Sequence, residues 1–470
     1  MTRKLLFIFI LFFSIPVFGQ EFEAGFHSLA GSNKQLPFWI WANQLGRYNR
    51  ESSTIQNLRL SGAWKTTSKN GDWNWEVNTD LDLLIGEKTD LRFTVLSTGI
   101  DWKSLQLSFG AFHEQEKYSG ISASNGNLAA TRNARPHPKL RLGFNRFVPV
   151  GVSWFSIYGF YEEGLLNDER YIDHTHLHRK AFYFRIGNAE NFSFTGGLEH
   201  FVMWGGTHPV YGELPGWESY FDYVFVRKGG ENALPTDQAN RMGNQFGTYQ
   251  MEIKKNWNTF SGSFYISHPF DDRSGIELQN YRDNLYGLYF KLHEPDAFLQ
   301  EFLVEYYYTK HQSGAFHLAP QPDGSNSGRG RDNYFNHGVY RSGVTYRQFG
   351  MVSPLWGPLT IEENISMGFA STRLSGVHAG AGGHLSPLLK WKSMISYFKH
   401  YGNYDSSGED SYMPPRPMLA TMVNIDWHVP KKPLELGLTL AADQGNLFDD
   451  GKHTTRLGLH FHLTWQILQK

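Results

Sequence analysis

Stretches of alternating apolar and polar residues recur from residue 54 to the end of the chain, and this period of two residues constrains the fold most strongly. Successive side chains of a β-strand point to opposite faces, so each such stretch forms a strand with one apolar and one polar face. In the last stretch, Leu457, Leu459, Phe461, Leu463, Trp465 and Ile467 alternate with Arg456, Gly458, His460, His462, Thr464 and Gln466. Residues 73–85, 419–428 and 434–440 repeat the pattern, without a convincing helical period between the stretches. The sequence therefore predicts an all-β fold.

Composition helps to decide between a soluble β-sandwich and a membrane barrel. The chain is 16% aromatic with 14 Trp, and its mean hydropathy is −0.45. A sandwich core consists mainly of branched aliphatic residues with few large rings, whereas a barrel has an apolar band that faces lipid between two girdles of aromatic residues. After the N-terminal region no stretch is apolar and long enough for a spanning helix. A membrane location therefore requires a closed barrel, in which all backbone polar groups pair between strands.

The connections between the predicted strands alternate in length. About twenty candidate strands can be identified, and short turns at one end of them include 68–72, 146–150, 188–191, 350–356 and 429–432. The connections at the other end include the long segments 31–53, 114–137, 205–243, 310–336 and 401–415. Outer-membrane barrels have short periplasmic turns and longer extracellular loops. We predict a closed antiparallel transmembrane β-barrel of about 18 strands, in an even range of about 16 to 20. Residues 337–349 and 357–370 are two of the candidate strands, and the last strand pairs with the first.

The N-terminus has the features of a secretory signal peptide. Two basic residues, Arg3 and Lys4, precede the apolar stretch Leu5–Phe18, which is short for a membrane-spanning helix. We expect residues 1–19 to be a signal peptide and residues 20–470 to form a single barrel domain in the bacterial outer membrane. The chain has no Cys, which excludes disulfides and thiol chemistry. Its formal net charge of −1 gives no electrostatic reason to expect nucleic-acid binding.

Four segments of the chain resemble the Wzi-type capsule assembly family, in the form found in Bacteroidetes-like bacteria. They are LPFWIWANQLGRY (36–48), NLAATRNARPHPKLRLG (127–143), WGGTHPVYGELPGW (204–217) and ISHPFDDRSGIELQNYRDNLYGLYF (266–290). The resemblance implies an outer-membrane barrel that acts as a lectin and helps to attach exported capsular polysaccharide to the cell. Surface polysaccharide, outer-membrane lipid and the capsule export machinery are the implied partners. Better-known members begin with a helical bundle that plugs the periplasmic mouth, and this sequence leaves no room for one after Gln20.

Sugar binding needs aromatic faces for stacking and planar polar groups for paired hydroxyls or carboxylates. Two predicted extracellular loops contain such residues, and the candidate polysaccharide-binding residues are Trp204, His208, Tyr211, Glu213, Trp217, Tyr220, Asn127, Asn133 and Arg135. The alternative is that the aromatic residues belong to the girdle at the membrane interface. Likewise, the prolines around Arg135 can simply hold the backbone extended before a strand.

Other functions have weaker support in the sequence. His174, His176 and His178 alternate in an extended segment and could bind zinc or copper, but no fourth ligand is evident, so we expect no metal site and no cofactor. The sequence lacks the nucleophile elbow, the phosphate-binding loop and the zinc-protease motif, and acidic residues are ordinary in a barrel lumen. We therefore expect no enzymatic activity. A diffusion channel is the second hypothesis and a secreted soluble sandwich the third. The porin hypothesis requires a lumen that loops such as 205–243 leave open.

Overall fold

The computed structural model describes residues 20–230, 241–271, 273–316, 319–320, 326–327 and 330–469, so the predicted signal peptide lies outside the described residues. The main sheet has 19 strand segments. Because Val148–Val150 continues the sixth strand across a short break, the sheet forms a barrel of 18 strands, as predicted. In chain order they are β1 (Gln20–Gly31), β2 (Thr54–Thr67), β3 (Trp73–Ile85), β4 (Thr89–Trp102), β5 (Leu105–Ala111), β6 (Pro138–Phe144), β7 (Val152–Leu166), β8 (Thr175–Asn188), β9 (Phe192–Trp204), β10 (Asn244–Asn256), β11 (Phe260–Phe270), β12 (Asn284–Leu292), β13 (Glu301–Tyr308), β14 (Arg373–Ser386), β15 (Leu389–Gly402), β16 (Arg416–His428), β17 (Leu434–Gly445) and β18 (Thr454–Gln469).

The connections contain only short elements. They are the helices α1 (Phe38–Trp41), α2 (Tyr220–Val224) and α3 (Arg273–Ile276), the 3-10 turns Ser32–Lys34, Tyr118–Gly120 and Trp217–Ser219, and the hairpins Thr207–His208 with Gly212–Glu213, Ala319–Pro320 with Asn326–Ser327, Thr345–Tyr346 with Phe349–Gly350, and Leu359–Glu362 with Ile365–Phe369. Across the described ranges, none of the helices has the length and apolar character needed to cross a membrane.

The barrel closes between its first and last strands, as the sequence predicted. β1 pairs with β2 on one side and with β18 on the other, from Glu21 opposite Gln469 to Gly31 opposite Gly458. All neighbouring strands of the barrel are antiparallel. Closure removes the unpaired edges that an open sheet would expose, so the backbone polar groups of the wall are satisfied within the wall.

The alternation along β18 has the predicted orientation. Leu457 and Trp465 point outward and are 61% and 54% exposed, whereas Arg456 points into the lumen and is 3% exposed. His460 also faces the lumen, where its Nε2 lies 3.0 Å from Nδ1 of His27 on β1. The outer face is therefore apolar, as expected of a membrane barrel, and the polar face lines the interior.

Tryptophans cluster on the outer wall near the short turns. The outward-facing ones at this end include Trp73, Trp75, Trp102, Trp391, Trp427 and Trp465, each within a few residues of a short connection. The rings of Trp73 and Trp102 stack across β3 and β4 with centroids 5.9 Å apart. Aromatic residues prefer the membrane–water interface, so this ring marks the periplasmic boundary of the membrane.

Three extracellular loops have described residues that fold into the lumen, and we refer to them as loop A (residues 32–53), loop B (112–137) and loop C (309–372). Their apolar residues join lumen-facing residues of the wall in one buried cluster. Phe38 of loop A, Ile121 of loop B and Phe335 of loop C are each at most 1% exposed. The extracellular half of the lumen is thus a packed core and not a uniformly wet channel.

Loop C corrects part of the strand prediction. Residues 337–349 and 357–370 are not barrel strands, and 350–356 is not a periplasmic turn, because the whole of loop C connects β13 to β14 on the extracellular side. These segments are apolar since they pack in the lumen core, where Val344, Val352 and Phe369 are buried. A sequence pattern that records only burial cannot distinguish a wall strand from a loop packed against the wall.

The connection 205–243 takes a different course from loops A to C, although residues 231–240 lie outside the described residues. Its helix α2 packs on the outward-facing side chains at the extracellular ends of β7, β8 and β9. Tyr220 donates from its hydroxyl to Glu163 at 3.0 Å, and its ring lies 5.2 Å from that of Trp204. Residues 217–225 therefore form a flap on the outside of the wall, which we call the outer flap. It presents Phe221 and Phe225 with 65% and 60% exposure.

Candidate functional site

Loop A is held in the lumen by buried ion pairs with the barrel wall. Arg47 forms ion pairs with Asp80 and, at 3.1 Å, with Asp82, both on β3. Arg59 of β2 lies 2.7 Å from Asp80 and so completes the charge balance. Four strands further round the wall, Asp443 of β17 accepts a hydrogen bond of 2.8 Å from the backbone N–H of Phe38. Two lumen-facing carboxylates of β3 therefore serve to seat a loop.

Loop B is held by a second set of buried charges. Glu114 contacts Arg141 of β6 at 2.7 Å and Arg179 of β8 at 2.6 Å. Arg141 also pairs with Glu162 at 2.6 Å, and Arg179 with Glu199 at 2.6 Å. Burial by itself raises the pKa of Glu114, but Arg141 and Arg179 hold it well below its usual range. Glu114 is therefore ionised and fixes the start of loop B to the wall.

Loop B has a second anchor in Glu305 of β13, a lumen-facing carboxylate that is fully buried. It accepts hydrogen bonds from the Ser122 hydroxyl at 2.6 Å and from the backbone N–H of Ala123 at 3.0 Å. The hydroxyls of Tyr265 and Tyr307 donate to the same carboxylate at 2.7 and 2.8 Å. With a longer bond of 3.4 Å from the Ser124 hydroxyl, five donors satisfy this carboxylate, which has no cationic partner among the described residues, and they join the loop to the wall.

His137 at the end of loop B makes the lumen core sensitive to acid. It is 4% exposed, and its Nε2 has no hydrogen-bond partner. Gly164 of β7 leaves space for the imidazole, because a Cβ at that position would lie 2.6 Å from it. Burial, followed by the nearby charge of Lys139, lowers the pKa of His137 to about 3. The buried imidazole is therefore neutral, while in the unfolded chain it would protonate below about pH 6.5.

We predict that loop B loses stability as the pH falls from 7 to 5. The pKa of His137 is lower in the folded protein than in the unfolded chain. Its contribution to stability is therefore complete above the unfolded pKa and is lost as the pH falls towards the folded pKa. At pH 5 the loss is about 2 kcal/mol. Hydrogen exchange of residues 128–137, corrected for the intrinsic pH dependence, should accelerate accordingly. His137→Gln should remove most of this pH dependence, and an equal acceleration in that variant would contradict the assignment to His137.

Two of the predicted binding residues, Asn127 and Asn133, lie inside the lumen core. Asn127 is 7% exposed and accepts a hydrogen bond of 3.2 Å from the Thr248 hydroxyl. Asn133 is 3% exposed, donates to the Gly350 carbonyl at 2.9 Å and accepts from the backbone N–H of Asn43 at 3.2 Å. Asn133 thus links loop B to both loop A and loop C. The structure gives both asparagines a structural role in the packing of loops A, B and C, which together we call the plug.

Arg135 is placed differently, because it lies at the extracellular edge of the lumen core with other arginines. Burial, and then the charges of Arg92 and Arg347, lower its pKa to about 10, so it remains cationic at neutral pH. Its Nε is buried without a hydrogen-bond partner, and it forms no ion pair within the described residues. Arg92 pairs with Asp90 at 2.8 Å, while Arg347 is exposed. Arg135 is therefore a partly buried cation without an anionic partner.

An aromatic cluster adjoins these arginines on the same extracellular face. His208 stacks on Tyr211 with centroids 4.4 Å apart, and its edge contacts Tyr171 at 5.3 Å. Burial and the charge of Arg341 lower the pKa of His208. The guanidinium of Arg341 lies 4.9 Å from the centre of the Tyr171 ring. Tyr211 is 61% exposed and so offers one free face. Glu213 is exposed on the same hairpin as His208.

Residues 168–171 connect the two groups. Asp168 accepts a hydrogen bond of 2.7 Å from the backbone N–H of Arg347, and the backbone N–H of Tyr171 donates to Ser342 at 2.8 Å. The arginines and the aromatic cluster therefore belong to one continuous surface. We call it the arginine–tyrosine surface, and it consists of Arg92, Arg135, Tyr171, His208, Tyr211, Arg341 and Arg347.

The remaining predicted residues, Trp204, Trp217 and Tyr220, lie on the outer wall with the outer flap. Trp204 is fully buried, stacked on His176 at 4.3 Å and edge-on to Trp217 at 4.7 Å. A sugar ring cannot stack on Trp204 in this arrangement. Trp217 is 62% exposed, and its ring contacts those of His176, Trp204 and Tyr220. These three residues therefore contact one another, whereas His208 and Tyr211 belong to a different ring cluster with Tyr171.

The sequence did not single out Arg92, Tyr171, Arg341 or Arg347. These residues lie in three distant segments that meet only because loops B and C fold into the lumen. The three histidines of 174–178 do not converge on a common point. His176 stacks on Trp204, while His178 contacts Glu163 at 3.0 Å beneath the outer flap.

Below the plug, the lumen contains a polar cavity of about 940 Å³ on the periplasmic side, lined among others by Glu23, Arg59 and Glu76. Smaller cavities of about 400 and 270 Å³ also lie against the plug. The larger cavity contains charges of both signs, which suits water and small ions. It lies on the opposite side of the plug from the arginine–tyrosine surface.

Comparisons with known proteins agree on one family and one fold. Residues 44–356, about two thirds of the chain, match the family described as capsule assembly protein Wzi. A comparison with curated proteins gives no match. The structure is similar to that of Wzi from Escherichia coli, which is described as an outer membrane protein involved in group 1 capsule assembly and as a carbohydrate binding β-barrel. The TM-score is 0.56 at 12% sequence identity, and the match covers 94% of this chain and 83% of that chain. For OprD from Pseudomonas aeruginosa the TM-score is 0.49 at 10% identity, with 97% and 98% coverage. At these identities the structural likeness shows the barrel fold alone.

Proposed function

The chain belongs to the Wzi family of capsule assembly proteins and lies in the outer membrane, and on this basis we propose that it binds capsular or other surface polysaccharide and helps to attach it to the cell. We further propose that an acidic glycan binds to the arginine–tyrosine surface. The capsule export machinery is a proposed partner that would deliver the glycan.

The environment of the Arg135 guanidinium is the main support for the proposed binding site. A guanidinium that is partly buried beside two other arginines, without an ion pair in the described part of the chain, is unfavourable on its own. A carboxylate can compensate it with two parallel hydrogen bonds, which the planar guanidinium suits. Uronic acids are the sugars that carry such a group. The free Nε of Arg135 is therefore a donor that an acidic glycan can satisfy.

The aromatic part of the surface supplies stacking. The exposed ring of Tyr211 rests on His208, which holds it in place without covering its outer face. Aromatic faces pack against the apolar faces of sugar rings, and Glu213 on the same hairpin can accept hydrogen bonds from hydroxyl groups. Trp217 and Tyr220 remain predictions as glycan contacts, at a separate place on the outer flap.

We propose that the protein is neither a diffusion channel nor an enzyme. Loops A, B and C occupy the extracellular half of the lumen, which argues against a wide pore. Lumen acids such as Asp80 and Asp82 form ion pairs with arginines that fix loop A, so they are engaged in structure. The Wzi family is associated with capsule assembly and not with catalysis.

Replacing Arg135 with alanine should weaken binding of polysaccharide from the source strain. Loss of one charge-assisted, bidentate contact is worth about 1.5 to 3 kcal/mol, which corresponds to a roughly 10- to 100-fold higher Kd. Titration calorimetry of the detergent-purified barrel with size-fractionated polysaccharide measures this change. Binding should also weaken with salt, because it depends on partly exposed charges.

Arg146 provides the matched control, since it lies at a periplasmic turn and contacts Ser104. Arg146→Ala should bind the glycan as the wild type does. Equal affinity for the wild type and Arg135→Ala, in variants that still show heat-modifiable gel mobility, would contradict the proposed site. Absence of any binding by the wild-type barrel would contradict the lectin function itself.

A further inference from the structure

A group of histidine and carboxylate side chains lies in the periplasmic part of the lumen, far from the arginine–tyrosine surface. Asp426 and His428 belong to β16, Glu435 to β17 and His462 to β18, so the group joins three successive strands next to the closure of the barrel. All four residues face the lumen or its rim. Their side chains are between 16% and 42% exposed, so a small ion can reach them from the periplasm.

The donor atoms of this group converge. Nε2 of His462 lies 3.4 Å from Oδ1 of Asp426 and 3.9 Å from Oε1 of Glu435. The second oxygen of Glu435 lies 3.2 Å from Nε2 of His428. One ligand atom from each of Asp426, Glu435 and His462 lies within 4.8 Å of the others. Zinc–nitrogen and zinc–oxygen bonds of about 2.0 to 2.2 Å in a tetrahedron place neighbouring donors about 3.4 Å apart. The observed distances are therefore near those of a metal site.

Gly437 makes this convergence possible. It lies between Asp426 and His462 in the strand register and is their direct neighbour on both sides. A Cβ at residue 437 would lie 1.9 Å from Cε1 of His462 and 2.5 Å from Oδ1 of Asp426. Any other residue would thus push the imidazole and the carboxylate apart. The glycine forms the floor of a small pocket whose upper wall consists of ligand atoms.

In the described part of the chain, the carboxylates of Asp426 and Glu435 form their ion pairs with histidine. Among the described residues, Asp426 and Glu435 form no ion pair with lysine or arginine, in contrast to Asp80 or Glu114. Two imidazoles and two carboxylates form a donor set that suits zinc and other first-row divalent cations better than calcium or magnesium, which prefer oxygen alone.

We propose that Asp426, Glu435 and His462, the three residues whose donor atoms converge, bind a first-row divalent cation of the zinc class at the periplasmic mouth of the barrel, with His428 beside Glu435 as the fourth ligand. The cation links β16, β17 and β18 and so reinforces the wall beside the β1–β18 closure. The site is independent of the proposed glycan function, because it lies on the other side of the plug.

Titration calorimetry with zinc chloride tests this site directly. The protein is purified without a histidine tag, treated with EDTA and titrated in detergent. The wild type should show one saturable site per chain. His462→Ala and Glu435→Gln should each reduce its affinity by more than the roughly 10- to 100-fold that loss of an outer-shell partner costs. His293→Ala is the matched control, because His293 lies exposed at a periplasmic turn, where its Nδ1 lies 3.1 Å from the Asn258 carbonyl oxygen. It should bind zinc as the wild type does.

Two readouts keep this test decisive. Gly437→Ala should abolish the site by filling the pocket while keeping all four ligands, and Asp426→Asn should weaken it while keeping its shape. Zinc should slow hydrogen exchange in residues 424–437 of the wild type but not of His462→Ala. Absence of a saturable site in the wild type, or unchanged zinc affinity in folded His462→Ala and Glu435→Gln, would overturn the proposal. Neither result would affect the glycan-binding test.

Discussion

Replacing Glu305 with alanine should detach loop B from the barrel wall and give the largest local loss of stability in the lumen core. The change leaves the Ser122 hydroxyl, the Ala123 N–H and two tyrosine hydroxyls without their acceptor in a fully buried site. Unsatisfied buried donors cost about 1 to 3 kcal/mol each, so even partial relaxation leaves a loss of about 3 kcal/mol or more. Hydrogen exchange of residues 119–126 should accelerate roughly 100-fold or more as a result.

Glu301→Ala is the matched control for this prediction. Glu301 faces the lumen on the same strand, but it is partly exposed, and among the described residues it accepts from the Tyr289 hydroxyl at 3.1 Å and lies 3.9 Å from Nζ of Lys291. Its removal should leave exchange in loop B unchanged. Slow exchange of residues 119–126 in Glu305→Ala would show that the carboxylate does not anchor the loop.

Replacing Arg179 with methionine should destabilise the whole barrel. Methionine replaces the long side chain with an unbranched apolar one, so the variant removes the guanidinium, which lies 4.9 Å from the ring centres of both Phe160 and Phe201. Glu114 and Glu199 then lack the guanidinium that each contacts at 2.6 Å. Removal of one partner from a buried charge network costs about 3 to 5 kcal/mol. Denaturant unfolding in lipid vesicles, followed by heat-modifiable gel mobility, measures this loss.

Arg185→Met on the same strand provides the comparison. Arg185 also faces the lumen, but its hydrogen bond is to the Thr195 hydroxyl at 3.2 Å and it stacks on Phe147. It has no carboxylate partner in the described chain, so its loss should cost about 1 kcal/mol or less. Equal destabilisation by the two substitutions would contradict a special role for the Glu114–Arg179–Glu199 network.

The wall of the barrel was predictable from the sequence because a single physical rule governs it. Each side chain of a wall strand faces either lipid or lumen, so polarity alternates with a period of two residues. The alternation correctly assigned Leu457 to the outer face and Arg456 to the lumen. Strand closure and the side on which most short turns lie followed from the same rule. The rule failed for 337–349 and 357–370, because apolar loop residues packed inside the lumen give the same sequence pattern as a wall strand.

The candidate site was predictable only in part. Arg135, His208 and Tyr211 were identified from residue type and loop position, and the structure places them on the same face. Trp204 was selected for its ring, but the outer flap covers the outward face of β9 and buries it. Arg92 and Arg347 escaped notice because their proximity to Arg135 depends on how loops B and C fold, which local patterns do not encode.

Capsule retention in cells tests the central claim most directly. The gene is deleted, the wild type or Arg135→Ala is restored at equal outer-membrane abundance, and polysaccharide bound to cells is measured against polysaccharide released into the medium. We expect deletion to shift polysaccharide from the cells to the medium, the wild type to reverse the shift, and Arg135→Ala to reverse it only partly. Unchanged retention in the deletion strain would contradict the assignment of this barrel to capsule attachment.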